Sequence, residues 1–238
     1  MFHCYNFSFE LIGIIAKKRM KSYYYYFALL PLLFSGCVTT MPNAQQVKLK
    51  AELQEMAKMD QIAAYIPQGV YKDLSKDQWD SFKDSVFTSH TQRLQQLFKQ
   101  HGFLGYKEVG TDGSNLFWLM VQHADRYPDF QIKILRAMKR QVKKKNANPS
   151  NYAYLLDRVN VNAGKKQVFG TQLTYETETT GRAKPKIGLV NPDQVNRLRK
   201  EYGLKPLKDY LNEMTLMHFE MNKKHYSDLG LTQPSLYP

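Results

Sequence analysis

The stretch "WLMVQHADRYPDFQ", residues 118 to 131, decides how the chain is read. An apolar run from Leu116 to Val121 stops at Gln122-His123-Ala124-Asp125, and a proline follows at position 128. A run that is apolar nearly all round reads as a buried helix. Proline suits the first position of a new helix, where its missing N–H would be unbonded anyway. Two helices therefore meet at this corner, and His123 and Asp125 lie at the junction. The question for function is whether those two polar residues form a working site or only separate two helices.

Working outward, the apolar positions Leu49, Leu53, Met56 and Ala63 fall near helical spacing over residues 46 to 65, and Pro67-Gln68-Gly69 stops the pattern. Ser75 is placed to cap a second helix that runs to Gln100, with Trp79, Phe82, Val86, Leu94 and Leu97 on its buried side. The Gly-rich segment 105 to 115 reads as a loop, with Ser114 capping the central helix over 115 to 124. A fourth helix is expected from Pro128 to Lys145 and a fifth from Asn148 to Gly164. "KQVFGTQLTYETE" (165 to 177) then turns β-branched and aromatic, and with "TTGRAKPKIGL" it predicts a two-stranded hairpin. Two further helices follow, one over 191 to 202 and one from Pro206 towards His218. The fold class is mainly α: a single helix-rich domain of about seven helices with a small two-stranded β-hairpin. The domain is assigned to residues 46 to 220, and residues 221 to 238 read as a frayed tail.

The front of the chain has a different character. Lys17, Lys18, Arg19 and Lys21 precede "SYYYYFALLPLLFSGC" (22 to 37), the layout of a secretory signal over residues 1 to 36. Met20 starts a better-proportioned signal, so residues 1 to 19 read as an over-extended start. The apolar stretch is short for a membrane span, which needs about 20 residues. Ser35-Gly36-Cys37 resembles the bacterial lipobox, with Phe34 where leucine is usual. That resemblance implies cleavage before Cys37, lipidation of Cys37, and a tether over residues 37 to 45. The expected location is the cell envelope, as a membrane-anchored lipoprotein facing the periplasm. An ordinary signal peptide with a chance cysteine is the competing reading. Cys4 leaves with the signal, so a lipidated mature chain has no thiol for catalysis, metal binding or a disulfide.

The formal charge is +13, and removing Lys17, Lys18, Arg19, Lys21 and Glu10 leaves +10. For an exported protein the acidic neighbours are anionic lipid head groups or envelope polymers rather than nucleic acid. The densest basic cluster, "MKRQVKKKN" (138 to 146), has no interleaved aromatics to stack on bases and reads first as a solvated helix end, with a membrane-surface role as the second reading.

Several segments in order, "GFLGY", "WLMVQHAD", "AYLLDRV", "GKKQVFGTQ" and "GLKPLKDY", resemble an uncharacterised bacterial domain family of unknown function. Its hallmark segments are W-L-x-V-Q-H-A-D, A-Y-L-x-D-R-V and Q-x-Y-G-T-Q, and the resemblance spans residues 49 to 211. It implies a helix-rich, often exported fold and no activity. This chain departs from the family at three places. Ala64 stands where an Asp-Gln-x-x-Arg element starting at Asp60-Gln61 would have arginine. Leu198-Arg199 replaces an arginine pair, and Phe169 replaces the tyrosine of the last hallmark.

The polar residues that interrupt apolar stretches are Gln122, His123 and Asp125, then Gln131, Asp157 and Arg158, then Gln167, Thr171 and Gln172. Burying such groups unpaired costs about 1–3 kcal/mol each, so they must meet one another, water or a ligand. On a continuing helix His123 and Asp125 point about 200° apart, so they cannot act together unless the helix has ended. Pairing of His123 with Asp157, one helix further on, is geometrically possible, and in the functional reading either Asp157 or Asp125 orients the ring. The reading with most support is a structural hydrogen-bond network. A ligand site comes next, then catalysis with His123 as general base and Arg158 holding an anion. No G-x-S-x-G, H-E-x-x-H or phosphate-loop lysine occurs, so no cofactor or metal is expected. The leading functional expectation is an envelope binding or interaction module, and the competing one is a hydrolase-like enzyme centred on His123.

Overall fold

A computed structural model describes residues 41–238. The expected signal, Cys37 and most of the tether lie outside the described residues. Eight α-helices and one antiparallel hairpin follow in chain order: α1 (Asn43–Ala64), α2 (Lys76–His101), α3 (Tyr106–Gln122), α4 (Pro128–Lys143), α5 (Pro149–Asn162), β1 (Leu173–Tyr175), β2 (Ala183–Pro185), α6 (Val195–Glu201), α7 (Leu207–Met221) and α8 (Lys223–Asp228). None of the described helices is long and apolar enough to cross a membrane.

Local signals account for most boundaries. Ser75 accepts from the Gln78 amide while the Gln78 side chain accepts from the Ser75 amide, so α2 starts on a reciprocal cap. Asn148 accepts from Ser150 N at 2.9 Å, and Pro149 opens α5. The central helix departs from expectation. Residues 105 to 115 are not a loop: α3 starts at Tyr106, and the Glu108 carboxylate accepts from Gly105 N at 3.0 Å. Ser114 caps nothing and is buried inside the helix. What the glycine-rich composition marks is a kink at Gly110, whose φ of 72° suits glycine. Gly105 marks a close approach, since a Cβ there would lie 2.3 Å from the Asn146 carbonyl oxygen.

Helix α3 is the axis of the domain, with Phe117 and Val121 fully buried. Helix α1 runs parallel to it: Lys50 pairs with Asp112 near one end, and Asp60 meets His123 near the other. Helix α2 is antiparallel to α1, since Arg93 is bonded to Glu52 and His90 lies against Asp60. Helix α5 runs alongside α3, with Asn151 on Asn115 and Arg158 on Asp125. The hairpin pairs Leu173 with Pro185, Thr174 with Lys184 and Tyr175 with Ala183. It is fastened to α7 by the Ala183 amide on Thr215 Oγ1 at 2.9 Å.

The segment read as a frayed tail is fastened down. It contains α8, and beyond it Tyr237 donates its hydroxyl to the Ala183 carbonyl and exchanges two hydrogen bonds with Asn212. Arg182 donates to the carbonyls of Ser235 and Leu236. Aromatic side chains with polar tips hold a chain end in this way without an apolar run, which is why periodicity does not reveal it.

Candidate functional site

Helix α3 ends at Gln122, so His123 occupies its C-cap and Asp125 lies beyond the helix. The His123 ring meets Asp60, not Asp157: Nδ1 lies 2.8 Å from Asp60 Oδ2. Asp60 is completely buried, although it belongs to the same helical stripe as Leu53, Ala57 and Ala63. Burial pushes its carboxyl up, but hydrogen bonds from His123 and Gln61, the neighbouring His90 ring and the charge of His123 outweigh this and hold its pKa below the ordinary value of 3.8. With Asp60 ionised, Nδ1 of His123 carries the proton and donates it. In the neutral ring, Nε2 is then a free acceptor. His90 approaches from α2, with Nδ1 3.8 Å from Asp60 Oδ1, beyond hydrogen-bond length. Both of those atoms are buried without a partner among the described residues.

The other side of the His123 ring faces a cavity of about 160 Å³. Phe87 covers the ring at 5.0 Å between centroids, and Thr88, Thr91 and Tyr127 form further wall. Two ion pairs stand at the rim, Arg126 with Asp84 and Arg158 with Asp125. Their charges cancel in pairs, so the rim has no strong preference for anion or cation. The His123 side chain keeps 19% of its surface exposed against 0% for Asp60, so one partner is reachable and the other is not. Beyond Arg126 and Tyr127 the cavity adjoins a wider groove of about 640 Å³ lined by Phe98, Lys99, Phe130 and Lys133.

Asp125 is the hub of the corner. It takes two bonds from Arg158, one from Asn162 and one from Gln131. Burial raises its pKa, but Arg158, Gln131 and Asn162 together outweigh this, so the net shift is downward. Gln131 also donates to the carbonyls of Val121 and Gln122, closing the end of α3. Gln122 contributes that carbonyl to the corner.

Asp157 serves elsewhere. Its carboxylate accepts from the amides of Val168, Phe169 and Thr171 and from Thr171 Oγ1, at 2.7 to 3.2 Å. It fixes the loop that leads into the hairpin, so the possible pairing with His123 does not form. Burial pushes its pKa above the ordinary value, against the pull of those donors. Gln167 fastens the same region, donating to the carbonyls of Gln172 and Lys186 and accepting from the Gln172 amide. Arg199, the survivor of the family's arginine pair, is buried against the carbonyls of Phe169 and Lys205 and lies over the Tyr210 ring. It holds the backbone and is not placed to clamp a ligand.

The structure thus brings Gln122, His123, Asp125, Gln131 and Arg158 together, and separates them from Asp157, Gln167, Thr171 and Gln172. Sequence reasoning missed the roles of Asp60 and His90. A signal was present, because Asp60 continues the apolar stripe of α1, and His90 falls between Val86 and Leu94 at i+4 spacing on α2. No group of three or more His, Cys, Asp or Glu among the described residues is arranged to hold a metal ion.

No curated protein and no solved structure matches the chain. A match to the Family of unknown function (DUF6624) covers residues 47–218, and the chain belongs to that family.

Proposed function

We propose that this is an envelope lipoprotein, anchored through Cys37, whose domain binds a small polar ligand in the cavity beside His123. The observation that carries the reading is the Asp60–His123 pair. A fully buried carboxylate fixes Nδ1 of an imidazole that itself lines a cavity. Nε2 has no hydrogen-bond partner among the described residues and is left for a ligand or water. Dedicated small-molecule pockets run to about 300–1,000 Å³, so this cavity suits one polar group at the end of a larger ligand lying in the adjoining groove. The balanced rim favours an uncharged or zwitterionic group over a simple anion.

The alternative, a hydrolase-like activity, draws on the same pair, because a base oriented by a buried carboxylate is the arrangement that activates water or a hydroxyl. Among the described residues, however, the only hydrogen bond of the His123 ring is to Asp60, so no side-chain nucleophile is held there. Binding is therefore the primary function proposed.

The test is a titration of ¹⁵N-histidine-labelled protein with acetamide, glycine and acetate. Acetamide or glycine should shift the Nε2 resonance of His123, and His123→Gln should abolish saturation elsewhere in the cavity. If none of the probes moves that resonance, the cavity reading fails. The anchor is tested separately by radioactive palmitate, whose incorporation should stop in Cys37→Ser.

A further inference from the structure

Helix α4 has a solvent-facing side unlike any other in the domain. Lys133, Arg136, Lys139, Arg140 and Lys143 lie within an arc of about 120° at 3.6 residues per turn. Lys144 and Lys145 extend that arc past the helix end. All seven are exposed. The opposite side of α4 buries Phe130, Ile134, Ala137 and Met138. Elsewhere surface cations commonly have acidic partners, such as Lys50–Asp112, Lys76–Asp80, Arg93–Glu52, Arg197–Glu201 and Lys205–Glu213. None of the seven forms an ion pair with any described residue.

The place of this face in the fold is informative. The dense end of the arc meets the start of α3: Tyr106 N donates to the Asn146 carbonyl, and Lys107 N to Asn146 Oδ1. The start of α3 in turn meets the start of α1 through Lys50 and Asp112. The described chain begins at that same end, with Met41 packed on the core. The acids there are already engaged, Asp112 by Lys50 and Glu108 by the Gly105 amide and Asn146. His123 lies at the other end of α1 and α3. Asp60 is 17 residues along α1 from Asn43, or about 26 Å at 1.5 Å per residue.

We infer that the α4 face and the adjoining end of the domain form a docking surface for an anionic phospholipid membrane, with the His123 cavity directed away from it. The cations are unpaired and project from one side. Asp129 and the half-buried Ile132 also fall on that side, which has no aromatics to stack on bases and too little apolar surface to insert. The orientation rests on the lipidated Cys37 reading: Cys37 precedes Met41 by four residues, a reach of at most about 14 Å, which keeps this end at the bilayer. The attraction to lipid does not depend on that reading.

The experiment uses a chain starting at residue 38, which retains every described core residue and carries no lipid. Its partition is measured by sedimentation with vesicles of phosphatidylglycerol and phosphatidylcholine, and with phosphatidylcholine alone. Binding is expected only to the anionic vesicles at low salt, with release near 1 M salt, where the screening length falls to about 3 Å. Each cation near an anionic leaflet is worth about fivefold in partition, so Lys139→Gln/Arg140→Gln/Lys143→Gln should lose about a hundredfold. The control Lys76→Gln/Lys83→Gln/Lys224→Gln, on other helices, should lose far less. Equal binding to neutral vesicles, no binding to anionic ones, or equal losses in the two triple variants would overturn the inference. So would a single-stranded oligonucleotide that binds more tightly than the anionic vesicles at the same salt. Palmitate labelling that persists in Cys37→Ser would remove the orientation argument and leave the vesicle result standing.

Discussion

Replacing Asp157 with asparagine removes one charge and exchanges an acceptor for a donor where every neighbour donates. Oδ1 accepts from Val168 N at 2.7 Å and Phe169 N at 3.2 Å, while Oδ2 accepts from Thr171 N and Thr171 Oγ1, both at 3.0 Å. An asparagine keeps the first pair if its carbonyl takes the Oδ1 position. Its NH₂ then faces the Thr171 amide, and that buried N–H loses its partner, at a cost of about 1–3 kcal/mol. The Thr171 hydroxyl can rotate to accept instead. The two retained bonds lose their charge assistance, about 0.5–1 kcal/mol each. Relief from burying a charge offsets part of the loss, since burial already pushes the Asp157 pKa up. The net is a destabilisation of about 2–4 kcal/mol. For a domain of this size that lowers Tm by about 5–15 °C.

The assay is urea and thermal unfolding followed by circular dichroism, together with amide spectra in which the Val168, Phe169 and Thr171 resonances should move. His123 Nε2 should keep its response to acetamide or glycine in the folded variant. An unchanged Tm would refute the assignment of Asp157 to the loop. So would loss of the His123 response at unchanged stability, which would return Asp157 to the site.

Two further outcomes are expected. Asp60→Asn should destabilise by about 2–4 kcal/mol at neutral pH, because the buried His123 contact loses its charge. As the Asp60 pKa is depressed in the fold, its contribution is present above the ordinary value of 3.8 and lost as pH falls through the lower folded value. Acid titration of stability below pH about 4 should therefore be shallower in Asp60→Asn than in the parent chain, and identical slopes would contradict the pairing. Gly110→Ala should cost about 1–2 kcal/mol in urea unfolding, since φ is 72° and no atom lies within 4 Å to make the cost steric. A stabilised Gly110→Ala would mean that α3 is not kinked there.

Periodicity and caps made most of the helical layout legible. Pro128 and Asn148-Pro149 begin helices as expected, because each acts through its own backbone and needs no distant partner. The Gly-rich segment misled for a physical reason. Glycine at 105 and 110 answers a close approach to Asn146 and a kink, and composition alone cannot tell these from a loop. The corner at His123 was legible as a cluster, but the 200° separation of His123 and Asp125 assumed a continuing helix, and α3 ends at Gln122. The partner was not legible, because Asp60 is 63 residues away and reaches His123 only through the parallel packing of α1 on α3. What the sequence did show was a carboxylate on an apolar stripe, and that oddity is the one to weigh when no motif is complete.

Three aspartates that start from one chemistry end with different tasks. Asp60 lies behind an imidazole, which holds its pKa down, and it orients a ring whose second nitrogen is reachable. Asp125 is half exposed beside Arg158, and its depressed pKa belongs to a rim pair that closes the corner. Asp157 has amides and a hydroxyl but no ion-pair partner among the described residues, and burial wins, pushing its pKa up. Orienting a proton acceptor at a cavity needs a stable negative charge with a titratable partner, and of the three only Asp60 has both. The site therefore centres on the α1–α3 packing rather than on α5, where the residues Asp157-Arg158 first pointed. The same parallel packing sets the cavity at one end of these helices and the dense run Lys139 to Lys145 at the other. Of the seven α4 cations only Lys133 also lines the groove beside the cavity, so a ligand site and a membrane-facing surface can occupy one small domain with little overlap.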